Sequence, residues 1–283
     1  MRRGLVAGLW TLLSAGVVFA HTDNPWPLLR GPSSGSARSI GEYSAGCLQG
    51  GKALPLDGVG YQVMHPSRNR AYGHPTLLEF VRALGRGVRK QKLGVVLIGD
   101  LSQPRGGRAP GGHASHQSGL DVDVWYSYPK RALKGPLDAS EREQITARSV
   151  LDGKRGTIRT EWKEHVTKLL KIALEDPRVD RVFVHPIIKR ELCADPSIER
   201  TIWHKLRPWY GHADHFHARM ACPADSPHCE AQPPIDAGDG CDQLGFWFDA
   251  EAQAERKRAQ EQYQQTVVAG RGWPAECDAL LQE

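Results

Sequence analysis

Several common signatures are missing from this 283-residue chain, and each absence removes a class of function. There is no HExxH, so two helix-borne histidines with a glutamate base are excluded, and no EF-hand loop supplies calcium ligands. Neither serine beside the histidines, Ser115 or Ser118, is centred in a GxSxG, so the nucleophile elbow of a serine hydrolase is missing there. None of the six cysteines forms a CxxC, which argues against a cysteine-based zinc site. No internal repeat is visible. Beyond the first twenty residues no long apolar run follows, so no membrane insertion is expected once those residues are removed. Excess charge is also slight, with a formal +5 that falls by the two charges of Arg2 and Arg3 if the leader is cut away. That balance suits an anionic surface such as a cell envelope and is too weak to imply nucleic acid.

What is present begins with a leader. MRRGLVAGLWTLLSAGVVFA has two arginines, a short apolar stretch and a small-residue end, which is the layout of a cleaved secretory signal peptide over residues 1–20. The remainder, 21–283, is long enough for a single domain with irregular terminal segments. All six cysteines (Cys47, Cys193, Cys222, Cys229, Cys241 and Cys277) fall in this exported part. An even count behind a leader predicts three disulfides and an oxidising, extracytoplasmic compartment, with the pairing left open by the spacing.

Residues 21–60 are rich in Gly, Ser and Pro and are expected to wrap the surface. In HPTLLEFVRALGRGVRK, Leu77, Val81, Leu84 and Val88 share one helical stripe, and the trailing basic residues suit a helix C-terminus. LGVVLIGD (93–100) reads as a buried strand, and GLDVDVWY (119–126) alternates as a strand that points Asp121 and Asp123 to one face. Residues 127–160 look polar and irregular. TEWKEHVTKLLKIALED predicts a second helix with Trp162, Val166, Leu169 and Ala173 inward, ended by Pro177. RVFVHP and ADHFHARM read as strands, SIERTIWHKL as a short helix, and AEAQAERKRAQEQYQQ as a polar helix. The expected class is α+β: a small antiparallel sheet flanked by helices, with long disulfide-tied loops.

Two clusters carry chemistry. One is His113, His116, Asp121 and Asp123; the other is His212, His215 and His217. A lone HxH in a strand is usually incidental, and a DxD can be a solvated face or a calcium ligand pair. Together the clusters place metal-type ligands on one face of two strands. A catalytic zinc takes about three protein ligands and keeps a position open for water. His116 and Asp123 from one segment with His217 from the other would supply three. The small residues between them (Gly112, Ala114, Ser115, Ser118 and Gly119) would let backbone approach an ion or substrate closely. Trp125, Tyr126, Trp209 and Tyr210 adjoin both motifs, as groove lining or as core.

SHQSGLDVD (115–123) resembles an S-x-H-x-x-G-x-x-x-D motif, matching it from His116 onward with Ser115 one place nearer the histidine, and His215-Phe216-His217 resembles its partner HxH. That combination is similar to the zinc peptidases of the lysostaphin, D-Ala-D-Ala dipeptidase and hedgehog type. QPRGG, GHASHQSGLDVDV, RPWYGHADHFHARM and the following CPAD narrow the resemblance to the penicillin-insensitive murein endopeptidase family, from about Cys47 to Cys277. The resemblance implies a catalytic Zn2+ on His116, Asp123 and His217, with Asp121 behind them orienting a histidine or water. It makes His215 the base and His212 a further active-site histidine. A second metal would take His113, Asp152 and a position that here is Arg155, which cannot ligate zinc. It implies the pairs Cys47–Cys277, Cys193–Cys241 and Cys222–Cys229. Arg105 and Arg207 are candidates for pairing with a substrate carboxylate, or else structural arginines. The implied activity is hydrolysis of D-alanyl-meso-diaminopimelyl cross-links in peptidoglycan stem peptides, in the periplasm and insensitive to β-lactams. The alternatives are a carboxypeptidase or dipeptidase of the same fold, and a non-catalytic wall-binding relative.

Overall fold

Short alternating runs assemble into one principal sheet. The structure, a computed structural model, describes residues 24–110, 114–196, 200–263 and 273–283; the expected leader and His113 lie outside the described residues. In chain order the strands are β1 (Asp57–Gly58), β2 (Tyr61–Val63), β3 (Val96–Ile98), β4 (Asp121–Trp125), β5 (Val179–Val184), β6 (Leu206–Pro208) and β7 (His215–Met220). Across the sheet they run β6-β5-β7-β4-β3-β2-β1. The central pairs β5–β7, β7–β4 and β4–β3 are antiparallel, as expected, but β6–β5 and β2–β3 are parallel. The sheet is therefore mixed. Parallel neighbours need a crossover of a dozen or more residues. Between β2 and β3 that crossover contains helix α1 (Pro75–Lys90), and between β5 and β6 it contains a helix over Pro186–Cys193.

Register decides which side chains meet. One row across the sheet reads Arg207, Phe183, His217, Asp123, and a neighbouring row reads His215, Trp125, Leu97. Residues in register point to the same face, and successive residues to opposite faces. The opposite face carries Val122, Val124, Val182, Val184, Phe216 and Ala218, all buried.

That apolar face is covered by α1 and by a second long helix over Thr160–Leu174, the third of six α-helices among the described residues. The α1 stripe expected from spacing (Leu77, Val81, Leu84, Val88) is buried in full. His74 caps α1 by accepting the Thr76 N–H at 3.2 Å, and Pro75 starts its first turn, where its missing N–H costs nothing. Val166, Leu169, Leu170 and Ala173 of the later helix join the same cluster as Val122 and Phe216. Each large apolar side chain so buried contributes about 1.5–3 kcal/mol before conformational entropy is charged against it. Trp162 departs from the expectation: it is only partly buried, with its ring 6.1 Å from Tyr128.

Two other expectations are corrected. Residues 21–60 do not merely wrap the surface. Arg38–Glu42 pairs with Ala45–Gln49 in a hairpin that buries Ile40, Cys47 and Leu48. Residues 127–160 are not wholly irregular either: they hold a capped helix over Ala139–Gln144 and a small hairpin between Leu151 and Ile158. The N-terminal hairpin also explains one small residue of the first motif. Gly119 has φ +75°, and a Cβ there would lie 2.8 Å from the Leu48 side chain. Its smallness admits Leu48 rather than a ligand. Three disulfides complete the frame: Cys47–Cys277, Cys193–Cys241 and Cys222–Cys229.

Candidate metal centre

Strand period two puts Asp121 and Asp123 of β4, and His215 and His217 of β7, on the face away from the core. His116 reaches them from the segment before β4. Its backbone has φ +66°, an uncommon left-handed conformation for a residue with a Cβ. The His116 N–H donates to Asp121 Oδ2 at 3.0 Å, which holds that conformation. His116, Asp123 and His217 are all buried, and they form the one group of potential ligands among the described residues with atoms within 4.8 Å of one another.

The donor set fits zinc. Asp123 Oδ1 lies 3.3 Å from His116 Nε2 and 3.2 Å from His217 Nδ1. Ligands about 2.0–2.1 Å from a tetrahedral zinc stand about 3.3–3.4 Å apart. Two imidazoles and one carboxylate are also a composition that catalytic zinc sites use. The electrostatics point the same way. Burial disfavours the Asp123 carboxylate, but His116 and His215 outweigh it and hold its pKa well below the usual range. Burial likewise opposes charge on His116, yet Asp123 raises its pKa to about 9. A buried carboxylate ringed by imidazoles takes up positive charge, whether as protons or as a metal ion.

Asp121 stands behind the trio. Its Oδ1 accepts from His217 Nε2 at 2.9 Å and from Arg219 Nε at 2.7 Å. With Nε2–H committed to that bond, the lone pair of His217 lies on Nδ1, toward Asp123. Arg219 is held in turn over the Tyr43 ring, 4.2 Å from its centroid.

His215 and His212 border the centre. His215 Nδ1 pairs with Asp214 Oδ1 at 2.6 Å, and its Nε2 lies 3.7 Å from Asp123 Oδ1. Burial would lower its pKa, but Asp123 and Asp214 raise it. His212 Nδ1 contacts two carbonyl oxygens, Trp209 O at 3.2 Å and Tyr210 O at 3.0 Å. Carbonyls only accept, so Nδ1 carries the proton and Nε2 the lone pair. Burial, reinforced by His215 and His217, pushes the His212 pKa down to about 4.

The remaining expected residues separate. Asp152 does not join the trio: its Oδ1 accepts the N–H groups of Lys154 and Arg155, closing the turn of its own hairpin. Arg105 is engaged structurally, donating to Gly31 O at 3.1 Å and Leu280 O at 2.5 Å. Arg207 lies in the same row as His217. Asp214 and Arg219 escaped the sequence reading although both adjoin the HxH. Arg219 carried a signal, since it follows His217 by two in a strand and so shares its face.

Comparison with known proteins finds similarity along most of the chain. The family model described as penicillin-insensitive murein endopeptidase matches residues 39–282. A protein of that name from Yersinia enterocolitica is 44% identical over 246 residues, covering 86% of this chain and 87% of that protein. One from Klebsiella pneumoniae strain 342 is 43% identical over 251 residues, covering 88% and 89%. One from Escherichia coli O157:H7 is 43% identical over 243 residues, covering 85% and 86%.

Proposed function

The chain belongs to the penicillin-insensitive murein endopeptidase family, and from that premise we propose that it hydrolyses D-alanyl-meso-diaminopimelyl cross-links of peptidoglycan with one zinc ion held by His116, Asp123 and His217. The observation that carries this reading is the convergence of those three buried ligands beside two further histidines on one sheet face. Zinc bound there supplies Lewis acidity, lowering the pKa of a water and polarising a carbonyl.

The chain's own groups do the rest. His215, braced through Nδ1 by Asp214, presents Nε2 toward the centre and acts as general base, then returns the proton to the leaving amine. His212 presents an acceptor at Nε2, so its role is to orient a water or a substrate N–H; a neutral ring protonated on Nδ1 does not donate to an oxyanion from Nε2. Asp121 fixes His217 in the ligating tautomer. No serine is acylated on this route, so a β-lactam has no nucleophile to trap. Three disulfides are consistent with an oxidising location, and the periplasm is the compartment this reading assigns. Among the described residues no helix is long and apolar enough to cross a membrane.

The test is digestion of cross-linked muropeptide dimers by zinc-loaded protein, with and without a chelator, the products read by mass. Endopeptidase action converts dimers to monomers and stops with the chelator. Loss of terminal D-alanine alone would make the protein a carboxypeptidase, and intact dimers would make it a binder.

A further inference from the structure

Two hollows adjoin the candidate centre on opposite sides. One, of about 840 Å³, is lined by Trp125, Tyr128, Arg148, Arg159 and Trp162 among others, and Trp125 faces His215 across the β4–β7 ladder. The other, of about 470 Å³, lies beyond β7 and is lined by Arg181, Phe183, Arg207, Trp209, Phe246 and Trp247 among others. Phe183 joins this second hollow to the centre, its ring 5.4 Å from that of His217.

Arg207 is the feature of the second hollow that the mechanism leaves unused. It continues the row from His217 through Phe183, so its Cα lies two strand spacings, about 10 Å, from that of His217. Arg181 is already engaged, with Nε on Asp180 Oδ2 at 2.5 Å and Nη2 on Pro233 O at 2.9 Å. Among the described residues no carboxylate forms an ion pair with Arg207. Burial first, and Arg181 next, disfavour its charge, with Asp236 only partly offsetting them. A half-buried guanidinium beside a second one, walled by aromatic rings, gains most from an anion that brings two oxygens in one plane.

We propose that the Arg207 hollow receives a carboxylate of the peptide on one side of the scissile bond, making Arg207 a specificity-determining residue for acidic stem peptides. This rests on the reading of the site as a peptidoglycan peptidase. Its strand position suits the role: the guanidinium is carried on the same sheet as the ligands, so carboxylate and scissile bond are held at a fixed separation. Two carboxylates qualify, the α-carboxylate of the diamino acid at the cross-link and the C-terminal carboxylate of the peptide.

Calorimetric binding to zinc-loaded His215→Ala protein, which lacks the base, decides the matter without turnover. The ligands are three forms of one muropeptide dimer: free acid, amidated at diaminopimelate, and amidated at the C-terminal D-alanine. The free acid is expected to bind at least tenfold more tightly than one amidated form, and that form identifies the carboxylate. Adding Arg207→Gln should abolish the preference, so that free acid and that amide bind alike. Arg207→Lys, which keeps charge but not the bidentate fork, should restore part of it and serves if the Gln variant is unfolded by circular dichroism. A preference that survives Arg207→Gln, or none in the protein that retains Arg207, overturns the proposal. Cleavage is read separately with His215 intact: dimers bound with the preference yet left uncut would sink the endopeptidase reading and leave the Arg207 pocket standing.

Discussion

Asp121 contributes no atom to the proposed ligand trio, yet it holds two of its members in place. It accepts from the His116 backbone, from His217 Nε2 and from Arg219, and it has no exposed surface. Burial disfavours its carboxylate, but Arg219 and His217 outweigh that and keep it ionised. Asp121→Asn nearly preserves volume while removing acceptor capacity and charge. It should weaken zinc affinity by about 10–100-fold, as loss of such partners does at other zinc sites. Competition with a chromogenic chelator measures this, and an unchanged affinity would remove Asp121 from the support of the centre. The sequence put both aspartates on one face because a strand repeats every two residues, and the resemblance agreed with the trio that takes Asp123 and moved Asp121 behind it. The reason becomes physical in the fold, where Arg219 sits opposite Asp121 in register and takes up its charge. Asp214 was not legible, because it precedes β7 and its direction depends on the turn before the strand.

At the scale of elements, the long periodic segments were readable and the short ones were not. The helices starting at Pro75 and Thr160 follow from their apolar stripes, the first opened by Pro75 and the second followed by Pro177. The strand β6 has three residues and no period to detect, so the parallel edge and the full width of the sheet stayed hidden. The N-terminal hairpin was masked by glycines that look like surface loop and in fact admit close packing. The helix over Pro186–Cys193, α4 in chain order, hides another feature with no sequence signal, a fully buried lysine. Lys189 Nζ donates to Trp203 O at 2.7 Å and Asp239 O at 2.5 Å, and burial lowers its pKa to about 8 despite Asp239. Between that value and the unfolded value of about 10.4 the unfolded chain binds more protons than the folded one, so this residue makes stability rise with pH. Relative to a Lys189→Met protein, which cannot titrate there, the parent should gain stability between pH 7 and pH 9.5 in urea unfolding. A difference independent of pH would show that Lys189 is not held in a costly charged state.

At the scale of the molecule, one sheet separates two tasks. Its inner face packs on α1 and the helix from Thr160, while its outer face carries the row with His217 and Asp123, with a hollow on either side. The Cys47–Cys277 bond ties the N-terminal hairpin to the last helix, a loop of sequence separation 230 that constrains the unfolded chain far more than the seven-residue Cys222–Cys229 link beside β7. The central claim is that this frame presents one metal on three named ligands, with a separate base. Zinc stoichiometry by elemental analysis, across single alanine variants, tests it most directly. The parent and His215→Ala should each hold one equivalent, while His116→Ala, Asp123→Ala and His217→Ala should hold none after dialysis. Zinc retained in full by any of those three, or lost from His215→Ala, would contradict the assignment.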